Sequence, residues 1–298
     1  MPRNAGMRGS GRQILTMNSQ KTFPRVFSCE YFPPKDDAAR DKLYATTREL
    51  AVLKPKYFSV TYGAGGSTQA GTYEMVKWIK EQGLDAAPHI SCVGATRATI
   101  VEQLQRYKTL GIKRIVALGG DLPSGMASPG EFRFAYQLVE LIRKETGDWF
   151  HIEVAAYPEM HPRAANINDD LKYFRQKVAA GASAALTQYF YNPDAYVRFV
   201  YECEKLGLKL PVVPGIMPIT NYKQLARFSD ACGAEIPRWI RKRLEGFGDD
   251  LESLRAFGLD VTTQLCEKLL AAGAPGLHFY TMNRATPTRE IWNRLGLK

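Results

Sequence analysis

The chain has 298 residues, 45% of them hydrophobic and 23% charged, and a formal net charge of +10. No apolar run approaches the ~20 residues that cross a bilayer, and five scattered cysteines (Cys29, Cys92, Cys203, Cys232, Cys266) form no Cys-x-x-Cys pair, which argues against a membrane span and a disulfide scaffold. Residues 1–29 hold Arg3, Arg8, Arg12, Lys21 and Arg25 with no acid, so five of the ten excess charges belong to the N-terminus and not to a nucleic-acid surface.

In chain order, residues 1–24 read as a basic tail without fixed structure. No apolar stretch follows its arginines, which speaks against a secretory signal. An organelle transit peptide stays open, and Met17 is an alternative natural start. From there eight short apolar runs recur: Val26–Phe32, Tyr57–Tyr62, Ala86–Ser91, Arg114–Leu118, Ile152–Tyr157, Ala184–Phe190, Pro211–Met217 and Gly276–Thr281. Their β-branched and aromatic content favours strands, and a spacing of roughly 25 to 35 residues is that of a strand–helix unit.

Helical stretches lie between them at Asp36–Leu53, Thr96–Leu110, Glu131–Glu145, Asp169–Ala180, Pro193–Leu206 and Leu251–Ala272. Several end at Gly111, Gly181, Gly207 or Gly273, as helix C-termini do. Two additional helices, Tyr222–Ala231 and Pro237–Leu244, fill the long interval before the last strand. The expectation is an α/β fold, a (β/α)8 TIM barrel over residues 25–298 with extra helices between strands 7 and 8. Reacting groups in such barrels sit at the strand C-termini.

Those ends carry Glu30, Thr61, His89, Asp121, Tyr157, Gln188 and Tyr280, which makes an enzyme the leading reading. A carboxyl at Glu30 would lie in the barrel mouth, where desolvation raises its pKa and suits a general acid. Pairing with a core cation is the plainer alternative. The segment Thr61–Thr68 is Gly-rich but ends in neither Gly-Lys-Ser nor Gly-Lys-Thr and is not Gly-x-Gly-x-x-Gly, so neither nucleotide fingerprint applies.

Gly119-Gly120-Asp121 allows close approach of a heterocycle, or caps a turn. His89, His161 and His278 can line one cavity while His151 starts its strand at the other end; His161-Pro162 and the missing carboxylate ligands argue against a metal. Asp170 and Lys177 share a helix face, and Tyr280 and Arg284 close the last unit. The basic segment Arg238–Arg243 lacks the alternating aromatics of a base-stacking platform.

Glu-Tyr-Phe-Pro-Pro, Ser-Val-Thr-Tyr-Gly-Ala-Gly-Gly-Ser-Thr, Ala-Pro-His-Ile, Gly-Asp-Leu-Pro, Val-Ala-Ala-Tyr-Pro-Glu-x-His-Pro, Thr-Gln-Tyr-Phe, Pro-Gly-Ile-Met-Pro and His-Phe-Tyr-Thr-Met-Asn-Arg follow one another along the chain. Together they resemble the bacterial methylenetetrahydrofolate reductases, in the short form without a regulatory domain. The resemblance implies an FAD-dependent oxidoreductase in the cytoplasm that takes electrons from NADH or NADPH. In a ping-pong cycle it would reduce 5,10-methylenetetrahydrofolate to 5-methyltetrahydrofolate, for methionine synthesis. It also implies a homo-oligomer, no nucleic acid and no membrane.

By the same resemblance Glu30 is the general acid, and Asp121 contacts the pterin beside the flavin. Gln188, Tyr280 and Arg284 contact folate. Thr61, His89, Gly120, Asp121, Ala135, Tyr157, His161, Ala164, Asp170 and Lys177 surround FAD. Departures accompany the match. Gly119 stands where relatives have arginine, Phe134 replaces a tyrosine, and Tyr173 and Gln176 replace an asparagine and an arginine of some relatives. Loss of that guanidinium implies a looser hold on FAD, by about 1–3 kcal/mol. Another flavin barrel, such as a proline-dehydrogenase-like oxidase, and a non-catalytic binding protein are the alternatives.

Overall fold

The computed structural model describes residues 17–62, 69–120 and 130–297. Strands and helices alternate as β1 (Val26–Tyr31), α1 (Asp37–Ala51), β2 (Tyr57–Val60), α2 (Gln69–Glu81), β3 (Ala86–Ser91), α3 (Arg97–Thr109), β4 (Arg114–Leu118) and α4 (Ala135–Thr146). Then come β5 (His151–Ala156), α5 (Ile167–Ala179), β6 (Ala184–Thr187), α6 (Pro193–Lys205), β7 (Val212–Val213) and β8 (Gly215–Ile216). Helices α7 (Tyr222–Cys232), α8 (Arg238–Gly246) and α9 (Leu251–Ala272), β9 (Gly276–Tyr280) and α10 (Thr286–Arg294) complete the chain.

Every strand pairing is parallel, in the order β7-β6-β5-β4-β3-β2-β1-β9-β8. The segments β7 and β8 are one strand broken at Pro214, which has no N–H to give a ladder. Its first half pairs with β6 and its second half with β9, and the Pro214 carbonyl accepts from His278 N at 3.0 Å. That single strand closes the ring, so the fold is the (β/α)8 barrel that the spacing implies. The helices α7 and α8 occupy the long interval, as expected, and α8 buries Ile240 and Leu244 beneath a solvated basic face. Two helices have no counterpart in the sequence reading, α2 and α10.

Side-chain caps set the helix starts. Thr96 and Thr99 form a reciprocal capping box at α3, Asn166 and Asn221 accept the backbone N–H groups of Asp169 and Gln224, and Pro193 opens α6 behind Asn192. Among the described residues no helix is long and apolar enough to cross a membrane.

The tail reading ends too late. Met17 is buried and its N–H bonds the Ala272 carbonyl at 3.0 Å. Gln20, 3% exposed, accepts from Val212 N at 2.8 Å and donates to Leu210 O at 3.3 Å. Residues 17–24 thus seal the N-terminal end of the barrel, because one amide side chain completes the start of β7. Composition carries no sign of that pairing.

The larger apolar core lies between strands and helices. Inside the ring is a smaller one of Tyr57, Ala87, Val116, Leu186 and Val213. Near the N-terminal strand ends the interior turns ionic: Glu153, 1% exposed, takes Arg114 Nη1 at 2.6 Å on one oxygen and the Tyr57 hydroxyl at 2.7 Å on the other.

Candidate active site

A cavity of about 690 Å³ opens at the C-terminal strand ends. Glu30, Thr61, His89, Tyr157, His161, Gln188 and Tyr280 all line it, over an apolar floor of Val116, Leu118, Ala155 and Leu186. Seven residues from six strand ends therefore meet as the sequence implies. Asp121 and the segment 63–68 lie outside the described residues.

Glu30 points into the ring from β1. One of its oxygens, Oε2, sits 3.2 Å from His278 Nε2 and 3.3 Å from His89 Nε2. The His278 contact is a hydrogen bond; His89 lies off the bonding direction, and its Nε2 has no hydrogen-bond partner. The other His278 nitrogen, Nδ1, is 2.7 Å from Ser28 Oγ. With Glu30 ionised, His278 Nε2–H donates to the carboxylate and Ser28 O–H donates to Nδ1, a chain that fixes the imidazole.

Here the structure corrects an expectation. Burial does push the Glu30 carboxyl upward, but the charge of the nearby His89, the hydrogen bond from His278 and the charge of His278 outweigh it. The net effect is downward, to about 2. Position along the chain revealed the burial and hid the two imidazoles, which come from β3 and β9.

The strand-end loops hold this group in place. Thr281 Oγ1 donates to the Glu30 carbonyl at 2.7 Å. The Asn283 side chain clamps the next turn, accepting from Phe32 N and donating to Phe32 O, both at 2.9 Å. To reach it, Met282 and Asn283 take successive left-handed conformations with φ of 53° and 57°, a strained arrangement for the methionine.

Across the cavity, Tyr157 and His161 rings meet edge to face at 4.4 Å. His161 N–H donates to Asp170 Oδ2 at 2.8 Å, and Ala164 N–H to the His161 carbonyl at 2.9 Å. Asp170 and Ala164 therefore hold the β5–α5 loop without lining the cavity. Lys177 Nζ bonds the Ala155 carbonyl, and burial, against the opposing charge of Asp170, lowers its pKa to about 8. Arg163, which lines the cavity, donates from Nη2 to the Gly120 carbonyl at 3.1 Å. Gly120 has φ 84°, and a Cβ there would strike the Ser91 hydroxyl. Ala135 begins α4 beside Gly119 and does not line the cavity, and Phe134 stacks on Tyr173 with ring centres 4.9 Å apart.

Two folate positions diverge. Tyr280 lines the cavity with its hydroxyl tied to the Thr187 carbonyl at 2.6 Å, and Gly215 leaves it room, since a Cβ there would lie 2.8 Å from that hydroxyl. Arg284 instead lines a second cavity on the outer side of the same rim.

Sequence reasoning missed Ser28 as a partner and left His278 unassigned. Ser28 is two residues before Glu30, hence on the same side of β1, and it is paired in register with His278. It missed altogether the wall formed by Phe228, Ala231 and Cys232 of α7 with Tyr189, for which no local signal exists.

Comparison with known proteins follows the same lines. The family model described as methylenetetrahydrofolate reductase matches residues 15–296. The 5,10-methylenetetrahydrofolate reductase of Pectobacterium carotovorum is 39% identical over 289 residues, covering 96% of each chain. That of Salmonella typhimurium is 40% identical over 272 residues, 91% of this chain and 90% of that protein. A rice protein named as a probable methylenetetrahydrofolate reductase (NADH) is 38% identical over 91% of this chain, which spans 48% of its length. Among solved structures, a Clostridium thermocellum protein described as binding two copies of 5-methyl-5,6,7,8-tetrahydrofolic acid superposes with a TM-score of 0.65 at 18% identity, over 92% of this chain and 95% of that one. That likeness concerns the fold alone.

Proposed function

The chain belongs to the methylenetetrahydrofolate reductase family and is an oxidoreductase, and from that premise we propose that it reduces 5,10-methylenetetrahydrofolate to 5-methyltetrahydrofolate with FAD and NADH or NADPH. The observation that carries this reading is Glu30 at the mouth of the barrel with two imidazoles on one oxygen. Ring opening of the methylene bridge needs a proton donor in a water-poor site, and a carboxyl that shares a proton with histidines provides one.

The cavity fits a flavin. Its volume is that of a site for a large heteroaromatic group. Thr61, His89, Tyr157, His161 and Gln188 offer in-plane polar contacts round an apolar floor, and His89 Nε2, beside Glu30 without a hydrogen bond, has a donor or acceptor to offer. On the β5 side Arg163 would face its anionic part, with Lys177, Gly120, Ala135, Ala164 and Asp170 behind that wall and Asp121 next in sequence. Bound there, a flavin supplies hydride transfer between nicotinamide and folate.

The protein's part is proton handling and position. His278 donates to the Glu30 carboxylate and Ser28 holds the far side of its ring, so the carboxyl is fixed at the mouth. In the folate half-reaction a protonated Glu30 would give its proton to the folate and take another from solvent at the open mouth. Gln188 and Tyr280 would orient the pterin, and the donor and the folate would use the mouth in succession, giving ping-pong kinetics. Cytoplasmic residence, a homo-oligomeric state and a role in methyl supply for methionine belong to the same reading.

The test is anaerobic. Protein loaded with FAD is followed by its visible absorbance while NADH, then methylenetetrahydrofolate, is added. Bleaching followed by recovery is expected. Bleaching that the folate fails to reverse would remove the substrate from this reading, and a protein that takes up no FAD would remove the cofactor.

A further inference from the structure

The two oxygens of the Glu30 carboxyl have unlike surroundings. Oε2 lies between the imidazoles, 3.2 Å from His278 Nε2 and 3.3 Å from His89 Nε2. Oε1 makes no hydrogen bond with any described residue, and the side chain that carries it lines the cavity. When a carboxylic acid is protonated, one oxygen becomes a donor and the other remains an acceptor. What His278 presents to Oε2 therefore decides which oxygen carries the proton.

His278 is fully buried, and each of its ring nitrogens has one neighbour: Nε2 has Glu30, and Nδ1 has the Ser28 hydroxyl at 2.7 Å. A neutral imidazole donates from one nitrogen and accepts at the other. Ser28 stands in register between His278 of β9 and Tyr57 of β2. The Tyr57 proton is committed to Glu153 Oε2 at 2.7 Å, so Tyr57 gives Ser28 no proton, and the Ser28 hydroxyl can donate its own to Nδ1. That puts the ring proton on Nε2, facing the carboxylate. The opposite tautomer would set a bare nitrogen against an ionised oxygen.

Resting on the folate reading above, we propose that Ser28 is a positioning residue for the acid step: it holds His278 as the Nε2–H tautomer, which occupies Oε2 and leaves the transferable proton to Oε1. In that step the Oε1–H bond breaks and the proton passes to the bridge nitrogen whose C–N bond is opening. The electron pair of that C–N bond takes the proton, the lone pair of the other nitrogen forms the iminium double bond, and Glu30 is left ionised. With alanine at position 28 the ring could take either tautomer. Its Nδ1–H form would draw the acid proton onto Oε2, toward His278 and away from the folate.

The experiment reads the ring directly. The chain has four histidines, so NMR of the FAD-loaded protein with labelled histidine nitrogens separates the rings, and His278→Asn identifies the signals. Protonated and bare ring nitrogens resonate far apart, and the measurement is made on the alkaline side of the imidazole range. The proton is expected on Nε2. Glu30→Gln, an amide shaped like the protonated acid, is expected to keep it there, with the amide oxygen in the place of Oε2 and the NH2 in that of Oε1. Ser28→Ala is expected to mix the tautomers and to slow flavin reoxidation by methylenetetrahydrofolate about tenfold, with reduction by NADH within about twofold. Ser28→Thr, which restores a hydroxyl, should recover both the signal and the rate. A bare Nε2 in the unaltered protein, a ring protonated at both nitrogens, or a proton that moves to Nδ1 in Glu30→Gln would overturn this inference alone. So would Ser28→Ala with normal reoxidation, or with equal slowing of both half-reactions. Failure of the folate to reoxidise the unaltered protein would instead remove the function itself, and this inference with it.

Discussion

Two glutamates are buried inside the same barrel and are held by opposite means. Near the N-terminal ends, Glu153 has an oxygen on Arg114 and an oxygen on Tyr57. The guanidinium cannot give up its proton in a protein, and burial beside Glu153 pushes the Tyr57 phenol well above its usual range, so it too stays a donor. Both donors of that cluster keep their protons at neutrality. At the mouth, Glu30 has one oxygen between two imidazoles, whose ordinary range spans neutral pH. The clusters approach each other along the barrel, with the Tyr57 ring 6.2 Å from that of His278. A partner that keeps its proton makes a strut, and a partner that can lose it makes a proton donor.

Removing the strut should cost most. Glu153→Ala leaves the half-buried Arg114 and the buried Tyr57 hydroxyl without their acceptor, and a loss of about 3 kcal/mol is expected in urea unfolding, with the rate of flavin bleaching per folded molecule unchanged. A loss below 1 kcal/mol would mean that the two clusters do not differ in kind.

His278→Asn tests the mouth. Without its hydrogen bond and charge the Glu30 carboxyl titrates higher, and the folate half-reaction is expected to slow about tenfold to a hundredfold, less than a general acid's own contribution. Bleaching by NADH should stay within about twofold. Equal slowing of both steps would make His278 a packing residue only.

The smallest effect is on acid stability, where the two ends separate by pH. His151, beside the lower cluster, has its pKa lowered to about 4 by burial and by the charge of Arg114. The unfolded chain therefore binds more protons between pH 6.5 and 4, and stability falls as pH drops through that window. Glu30 is ordinary when unfolded and depressed to about 2 when folded. Its contribution is present above pH 4.5 and is lost as pH falls from there to 2. Urea midpoints against pH should show His151→Asn flattening the upper window and Glu30→Gln the lower one. The reverse assignment would contradict both.

What was legible follows from the range of the signal. Strand spacing, a cap such as Thr96 and polar strand ends are local, so the barrel and seven of its cavity-lining residues could be read from the chain. Helix α2 escaped because it runs directly out of a Gly-rich stretch and carries Gly71 in its first turn, although Met75, Val76 and Ile79 form its buried stripe. The depressed Glu30 carboxyl, the seal made by Gln20 and the α7 wall depend on residues 59 to 248 positions apart or on whole-chain packing. Arg284 was attached to the folate by resemblance, and only the geometry separates its cavity from the main one.

The role of Glu30 is tested most directly by stopped-flow absorbance on Glu30→Gln, with the two half-reactions measured apart. Reduction of the bound flavin by NADH is expected within about twofold of the unaltered protein, and its reoxidation by methylenetetrahydrofolate slower by about 10²–10⁴-fold. Reoxidation at the normal rate, or an equal loss in both half-reactions, would contradict a proton held at Glu30 for the folate.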